Sequence, residues 1–157
     1  MPFRTKNADR RIVILLAEDD PGDQELTRRA LTQESFHVDL RIVEDGEEAL
    51  DYLLRRGAFA DPQKSPRPDL MLLDLNMPRV NGREVLCEMK KHEDIARVPV
   101  VVLTTSEQEA DILRSYDLGC SSYIQKPVDI DQFTLAVQQL GAYWFRVVTL
   151  PSCVGSI

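Results

Sequence analysis

Five short apolar runs, each followed by a turn and an amphipathic stretch, limit what this chain can fold into. Ile12 to Ala17 (IVILLA), Val38 to Val43 (VDLRIV), Leu70 to Asp74 (LMLLD), Val98 to Leu103 (VPVVVL) and Ser122 to Ile124 (SYI) are strand-sized. Helices are predicted between them. The first covers about Asp23 to Glu34, with Leu26, Ala30 and Leu31 as its apolar stripe, after the punctuating Pro21-Gly22. The second follows Gly46, with Ala49, Leu50, Leu53 and Leu54 on one side, and the third runs from Gly82 to about His92. A fourth is expected over Glu107 to Leu118, closed by Gly119 where a left-handed residue is needed, and a last one from Ile130 to at least Phe145. Gly57 to Pro68 holds three prolines, so it reads as an extended connection.

Strands alternating with helices build a parallel sheet covered on both faces, a doubly wound α/β domain. The alternating VDLRIV run belongs at an edge, and the fully apolar runs belong in the middle. A chain of 157 residues suits one such domain. We place it at residues 11–145, between an N-terminal extension (1–10) and a C-terminal tail (146–157). A net charge of -7 argues against a nucleic-acid partner. Cys87, Cys120 and Cys153 are scattered, without metal-ligand spacing, which suits a reducing compartment. The N-terminal MPFRTKNADRR has no apolar segment behind it, and no run approaches the roughly 18 residues that span a bilayer. The expectation is a cytoplasmic protein with no membrane partner.

In a doubly wound sheet, ligands bind beyond the carboxyl ends of the strands. Glu18, Asp19 and Asp20 follow the first strand, Asp74 ends the third, Thr104, Thr105 and Ser106 follow the fourth, and Lys126-Pro127 follows the fifth. Clustered acids raise one another's pKa unless a cation neutralises them, and hard oxygen ligands suit magnesium, with manganese as an alternative. So screened, Asp74 can attack a phosphoryl group and carry it as an acyl phosphate. Thr104 can donate its hydroxyl to a phosphoryl oxygen, and Lys126 can hold another as a point charge. Taken singly, each residue also has a plainer reading. Asp74 can cap a turn, Thr104 can bond backbone, Lys126 can be a solvated lysine, and Tyr123 can be core packing.

Together, Glu18-Asp19-Asp20, Asp74-Leu-Asn-Met-Pro-x-x-Asn-Gly82, Thr104 and Tyr123-Ile-Gln-Lys126-Pro127 resemble the receiver domain of two-component response regulators. The resemblance implies a flavodoxin-like (βα)5 domain with strand order 2-1-3-4-5. It makes Asp74 the phosphoacceptor, with Thr104 and Lys126 contacting the phosphoryl group. Asp19 would be a direct metal ligand, Glu18 would act directly or through water, and the Asn76 backbone carbonyl would complete the protein's share. Tyr123 would swing inward as Thr104 moves toward the phosphate. Asn76, Thr105 and Ser106 stand where the attack of water on the acyl phosphate is tuned. The Lys126-Pro127 bond would often be cis in this family. The first acidic position departs from the family's pattern in being Glu18 rather than Asp, a common variation that lengthens the reach to the metal.

About a dozen residues follow the last predicted helix, so the expected output is protein contact. Tyr143, Phe145, Val148 and Leu150 are apolar surplus there, and such patches mark interfaces. The long second connection, the Thr104-Thr105-Ser106 run and the aromatic tail resemble stand-alone regulators paired with bacterial phytochrome-type or other sensor histidine kinases. That subgroup implies a homodimer through the last helix and tail. The expected function is phosphoryl acceptance from a sensor kinase in a phosphorelay, in a signalling protein catalysing only its own phosphorylation and dephosphorylation. The alternatives are an aspartyl-phosphate phosphatase, which usually needs an acid where Asn76 stands, and a phosphorylation-independent adaptor, which has no use for the whole acidic rim.

Overall fold

The computed structural model describes residues 11–32, 38–105 and 122–138. Its elements in chain order are β1 (Ile12–Ala17), α1 (Pro21–Leu31), β2 (Val38–Val43), α2 (Gly46–Leu54), β3 (Leu70–Asp74), α3 (Gly82–Met89), α4 (Glu93–Ala96), β4 (Val100–Thr104), β5 (Ser122–Gln125) and α5 (Ile130–Gln138). The five strands form one parallel sheet in the order β2-β1-β3-β4-β5. The doubly wound architecture and the 2-1-3-4-5 order are as expected. The helix expected over Glu107 to Leu118 and the continuation of the last helix past Gln138 lie outside the described residues.

Alternation along the strands explains why the central runs are wholly apolar. Leu15, Ala17, Met71, Leu73, Val100 and Val102 join one core cluster, with Ala49, Leu53, Val85, Leu86 and Met89 from α2 and α3. Ile14, Leu16, Leu70, Leu72, Val101 and Leu103 join a second cluster, with Ala30 and Leu31 of α1 and Phe133 and Ala136 of α5. Successive side chains on a strand point to opposite faces, and here both faces are covered, so every position must be apolar. β2 is at the edge and only Val43 is fully buried in it, which accounts for its alternation.

Several boundaries shift for local reasons. α1 starts at Pro21 rather than Asp23, because Asp20 accepts from the Gly22 N–H (3.0 Å) and proline suits the first helical position. Its buried face is Thr27, Ala30 and Leu31; Leu26, expected in the stripe, is 47% exposed. α3 ends at Met89, and His92 opens the separate short helix α4 that the apolar pattern did not suggest. β4 starts at Val100, since Val98 closes a turn by donating to the Ile95 carbonyl at 3.1 Å. The proline-rich connection contains a 3-10 turn at Gly57–Phe59. Tyr52 Oη donates to the Pro66 carbonyl at 2.7 Å, and Arg41 donates to the Lys64 carbonyl at 2.6 Å. These bonds tie the connection to α2 and β2. Among the described residues, no helix is long and apolar enough to cross a membrane.

Candidate functional site: an acidic cleft with one lysine

Strand register assembles the site. Ala17 is level with Leu73, so Glu18 emerges beside Asp74; Thr104 is level with Gln125, so Lys126 emerges one residue beyond. Backbone bonds hold these exits. Glu18 N–H donates to the Val43 carbonyl at 3.0 Å, and Lys126 N–H donates to the Thr104 carbonyl at 2.8 Å. By alternation, Glu18 and Asp74 continue the face of Leu16 and Leu72, which packs on α1 and α5. Thr104 and Tyr123 continue the other face, where Val102 lies and against which Tyr123 is partly buried. The acids and the Thr–Tyr pair therefore approach the rim from opposite sides of the sheet.

Lys126 Nζ is 2.6 Å from Glu18 Oε1, 3.0 Å from Asp23 Oδ2 and 3.2 Å from Asp74 Oδ2. Glu18, Asp74 and Thr104 are all buried, whereas Asp19 is exposed. Burial pushes the Glu18 carboxyl up from 4.5 to about 7; the Lys126 ammonium and the Asp20 N–H, which donates to Oε2 at 3.0 Å, only partly offset this, and the Asp74 charge adds to it. For Lys126, burial acts downward, but hydrogen bonds to Glu18 and Asp23 and the Asp74 charge outweigh it. The ammonium is held above its ordinary value. The Lys126–Pro127 peptide is cis.

Glu18, Asp19 and Asp74 each offer an oxygen, and these lie within 4.8 Å of one another. Glu18 Oε1 is buried with no well-directed hydrogen bond, despite its close ion pair with Lys126. A hard divalent cation fits this donor set, which is all oxygen and carries more negative charge than one lysine offsets.

The segment after Asp74 is held rigidly. Asn76 N–H donates to Asp74 Oδ1 (3.3 Å), and Leu75 and Met77 are buried in the core. Asn81 and Glu84 form a reciprocal capping box at the start of α3, with bonds of 3.0 and 2.9 Å. Gly82 donates to the Leu75 carbonyl at 3.0 Å, and a Cβ there would sit 2.5 Å from the Asp74 carbonyl oxygen. Only glycine permits that approach. Arg79, at φ 68°, pairs with Glu47 (2.7 Å) and Asp45 (3.5 Å) at the start of α2.

The structure thus brings together Glu18, Asp19, Asp74 and Lys126, with Asn76 adjoining Asp74 and Thr104 and Thr105 at the end of β4. Ser106 and the tail residues Tyr143, Phe145, Val148 and Leu150 lie outside the described residues. Sequence reasoning missed Asp23. Its only signal was an acid in the first turn of the helix that follows the acidic loop.

Residues 14–138 match the family model of the response regulator receiver domain. The response regulator Rcp1 of Synechocystis sp. is 41% identical over 140 residues, covering 89% of this chain and 93% of that protein. The solved bacteriophytochrome response regulator RtBRR superposes with a TM-score of 0.79 at 42% identity, covering 86% of this chain and 81% of that one. The phosphorylated cyanobacterial phytochrome response regulator RcpA gives 0.69 at 41%, covering 86% and 94%. The Mn(2+)-bound form of Rcp1 gives 0.68 at 42%, covering 89% and 99%. With its parallel sheet, acidic rim and lysine, this chain belongs to the response regulator receiver domain family.

Proposed function

We propose that this receiver accepts a phosphoryl group on Asp74 from a sensor histidine kinase and passes the signal on by protein contact. The observation that carries the proposal is the buried Asp74 carboxylate 3.2 Å from Lys126, within the cluster formed with Glu18 and Asp19. The Asp74 oxygen bonds to phosphorus in line as the leaving group departs with its electron pair. Lys126 pairs with one phosphoryl oxygen and the Thr104 hydroxyl donates to another. Glu18, Asp19, Asp74 and the Asn76 backbone carbonyl would hold magnesium, which supplies positive charge to the phosphoryl oxygens when bound. The manganese-bound relative supports a divalent ion in such a site. Tyr123, on the same face as Thr104, is the residue through which movement of Thr104 is read. Asn76, Thr105 and Ser106 tune hydrolysis of the acyl phosphate.

Relatives described as phytochrome response regulators support a phytochrome-type kinase as the phosphoryl donor. The last helix and tail, with Tyr143, Phe145, Val148 and Leu150, form the surface of a homodimer in this reading. The test is labelling of the full chain by acetyl phosphate with magnesium. Wild type is expected to take one phosphoryl group and Asp74→Asn none. Undiminished labelling of the variant would overturn the assignment.

A further inference from the structure

Among the described residues, three carboxylates hold Lys126, and the carboxylates grouped closely enough to share a cation include two of them. Glu18 and Asp74 belong to that group; Asp23 does not. Yet the Lys126–Asp23 contact, at 3.0 Å, has hydrogen-bond geometry and joins residues 103 positions apart. The lysine side chain is 10% exposed and that of Asp23 is 30% exposed, so the pair is partly shielded from water.

The backbone around Asp23 is anchored on both sides. Asp20 caps α1 through the Gly22 N–H at 3.0 Å. Gln24, on the other side, donates its side-chain amide to the Glu18 carbonyl at 2.7 Å. The first turn of α1 is therefore tied to the end of β1, which holds the Asp23 backbone beside the lysine.

The consequence appears when the site is in use, and it rests on the phosphoacceptor reading above. The Glu18 and Asp74 oxygens would be drawn on by a bound cation. Acylation then consumes one Asp74 oxygen and with it that carboxylate's charge. Two of the lysine's three partners are weakened at the step where its position matters most. A lysine is a point charge on a flexible four-carbon stem, and ordering it costs rotamer entropy. Asp23 is the partner that neither the cation nor the phosphoryl group takes away.

We propose that Asp23 is the positioning residue for Lys126: it keeps the ammonium beside Asp74 throughout phosphoryl transfer, and acts on the reaction only through that lysine. In the step concerned, an Asp74 carboxylate oxygen bonds to the phosphorus of acetyl phosphate. The bond from phosphorus to the acetate oxygen breaks, and acetate leaves with the electron pair. Asp23 exchanges no atom, proton or electron.

The test uses the full chain with acetyl phosphate and magnesium, comparing wild type, Asp23→Ala, Asp23→Glu, Lys126→Gln and the Asp23→Ala/Lys126→Gln double variant. For a partly exposed charge-assisted bond, Asp23→Ala is expected to slow labelling roughly three- to tenfold. Asp23→Glu, which keeps the charge, should recover most of the rate. The double variant should label no more slowly than Lys126→Gln alone, because the two residues act as a unit. If Asp23→Ala does not fold, Asp23→Asn, which removes the charge and keeps the shape, serves in its place. A wild-type rate in the variant, or a double variant slowed by the full Asp23 factor beyond Lys126→Gln, would overturn the inference. A wild-type chain that takes no label would instead refute the phosphoacceptor reading.

Discussion

Glu18 makes stability depend on pH in a direction opposite to that of most carboxylates. An acid whose pKa is higher in the folded than in the unfolded chain binds its proton more tightly when folded. Glu18 rises from 4.5 to about 7, first because it is buried, with the Asp74 charge adding to the effect and Lys126 opposing it. Its contribution is therefore fully present below pH 4.5 and is lost as the pH climbs through 7. At about 1.36 kcal/mol per pH unit, that window corresponds to about 3 kcal/mol, a large share of the ~5–15 kcal/mol that holds a domain together. Glu18→Gln keeps the shape and cannot ionise, so it removes the window. The pairing of Glu18 with Lys126 becomes ionic only as Glu18 loses its proton and is already among the influences opposing the rise, while the lysine itself stays protonated across the range. The assay is urea unfolding of both proteins with a chelator from about pH 4.5 to 8. Wild type should lose about 3 kcal/mol relative to the variant across that range. A divalent cation, which favours the ionised carboxylate, should flatten the wild-type curve. A difference between the two proteins that stays constant with pH would refute the reasoning.

Two further outcomes are expected. Gly46→Ala would place a Cβ 1.8 Å from the Val80 carbonyl oxygen, in a loop pinned by the Arg79–Glu47 pair, so something in the backbone must move. A loss of about 3 kcal/mol in denaturant unfolding is expected, and unchanged stability would deny the close approach. A chain truncated after Gly141 should sediment as a monomer if the last helix and tail form the dimer surface; a dimer unaffected by the cut would remove that surface from consideration.

Much of the site was legible because each motif residue sits at a strand end that its own neighbours define. Asp74 closes LMLLD, Thr104 closes a run of valines and leucine, and Lys126 stands before proline. Asp23 was not legible, because an acid in the first turn of a helix has a sufficient local explanation in the helix dipole. Leu26 was assigned to the core for the same kind of reason. Its spacing fits the stripe of Ala30 and Leu31, yet α1 is rotated so that Thr27 takes the buried position. Helical period sets the width of an apolar face but not its centre, which depends on what the sheet presents beneath it.

The sequence by itself determined the alternation of strands and helices, the edge position of β2 and the identity of the acidic rim. Hydrophobic period, turn residues and caps act between residues a few positions apart, so a linear reading captures them. Only the tertiary structure decided which side chains share a face and which charge meets which. The register of β1, β3, β4 and β5 brings Glu18, Asp74 and Lys126 to one level, and alternation puts the acids on the α1 side and Thr104 with Tyr123 on the other. The meeting of Lys126 with Asp23, 103 residues away, follows from that arrangement. An ion pair of this kind forms only after the sheet, the helix cap and the strand exits have all been positioned by packing.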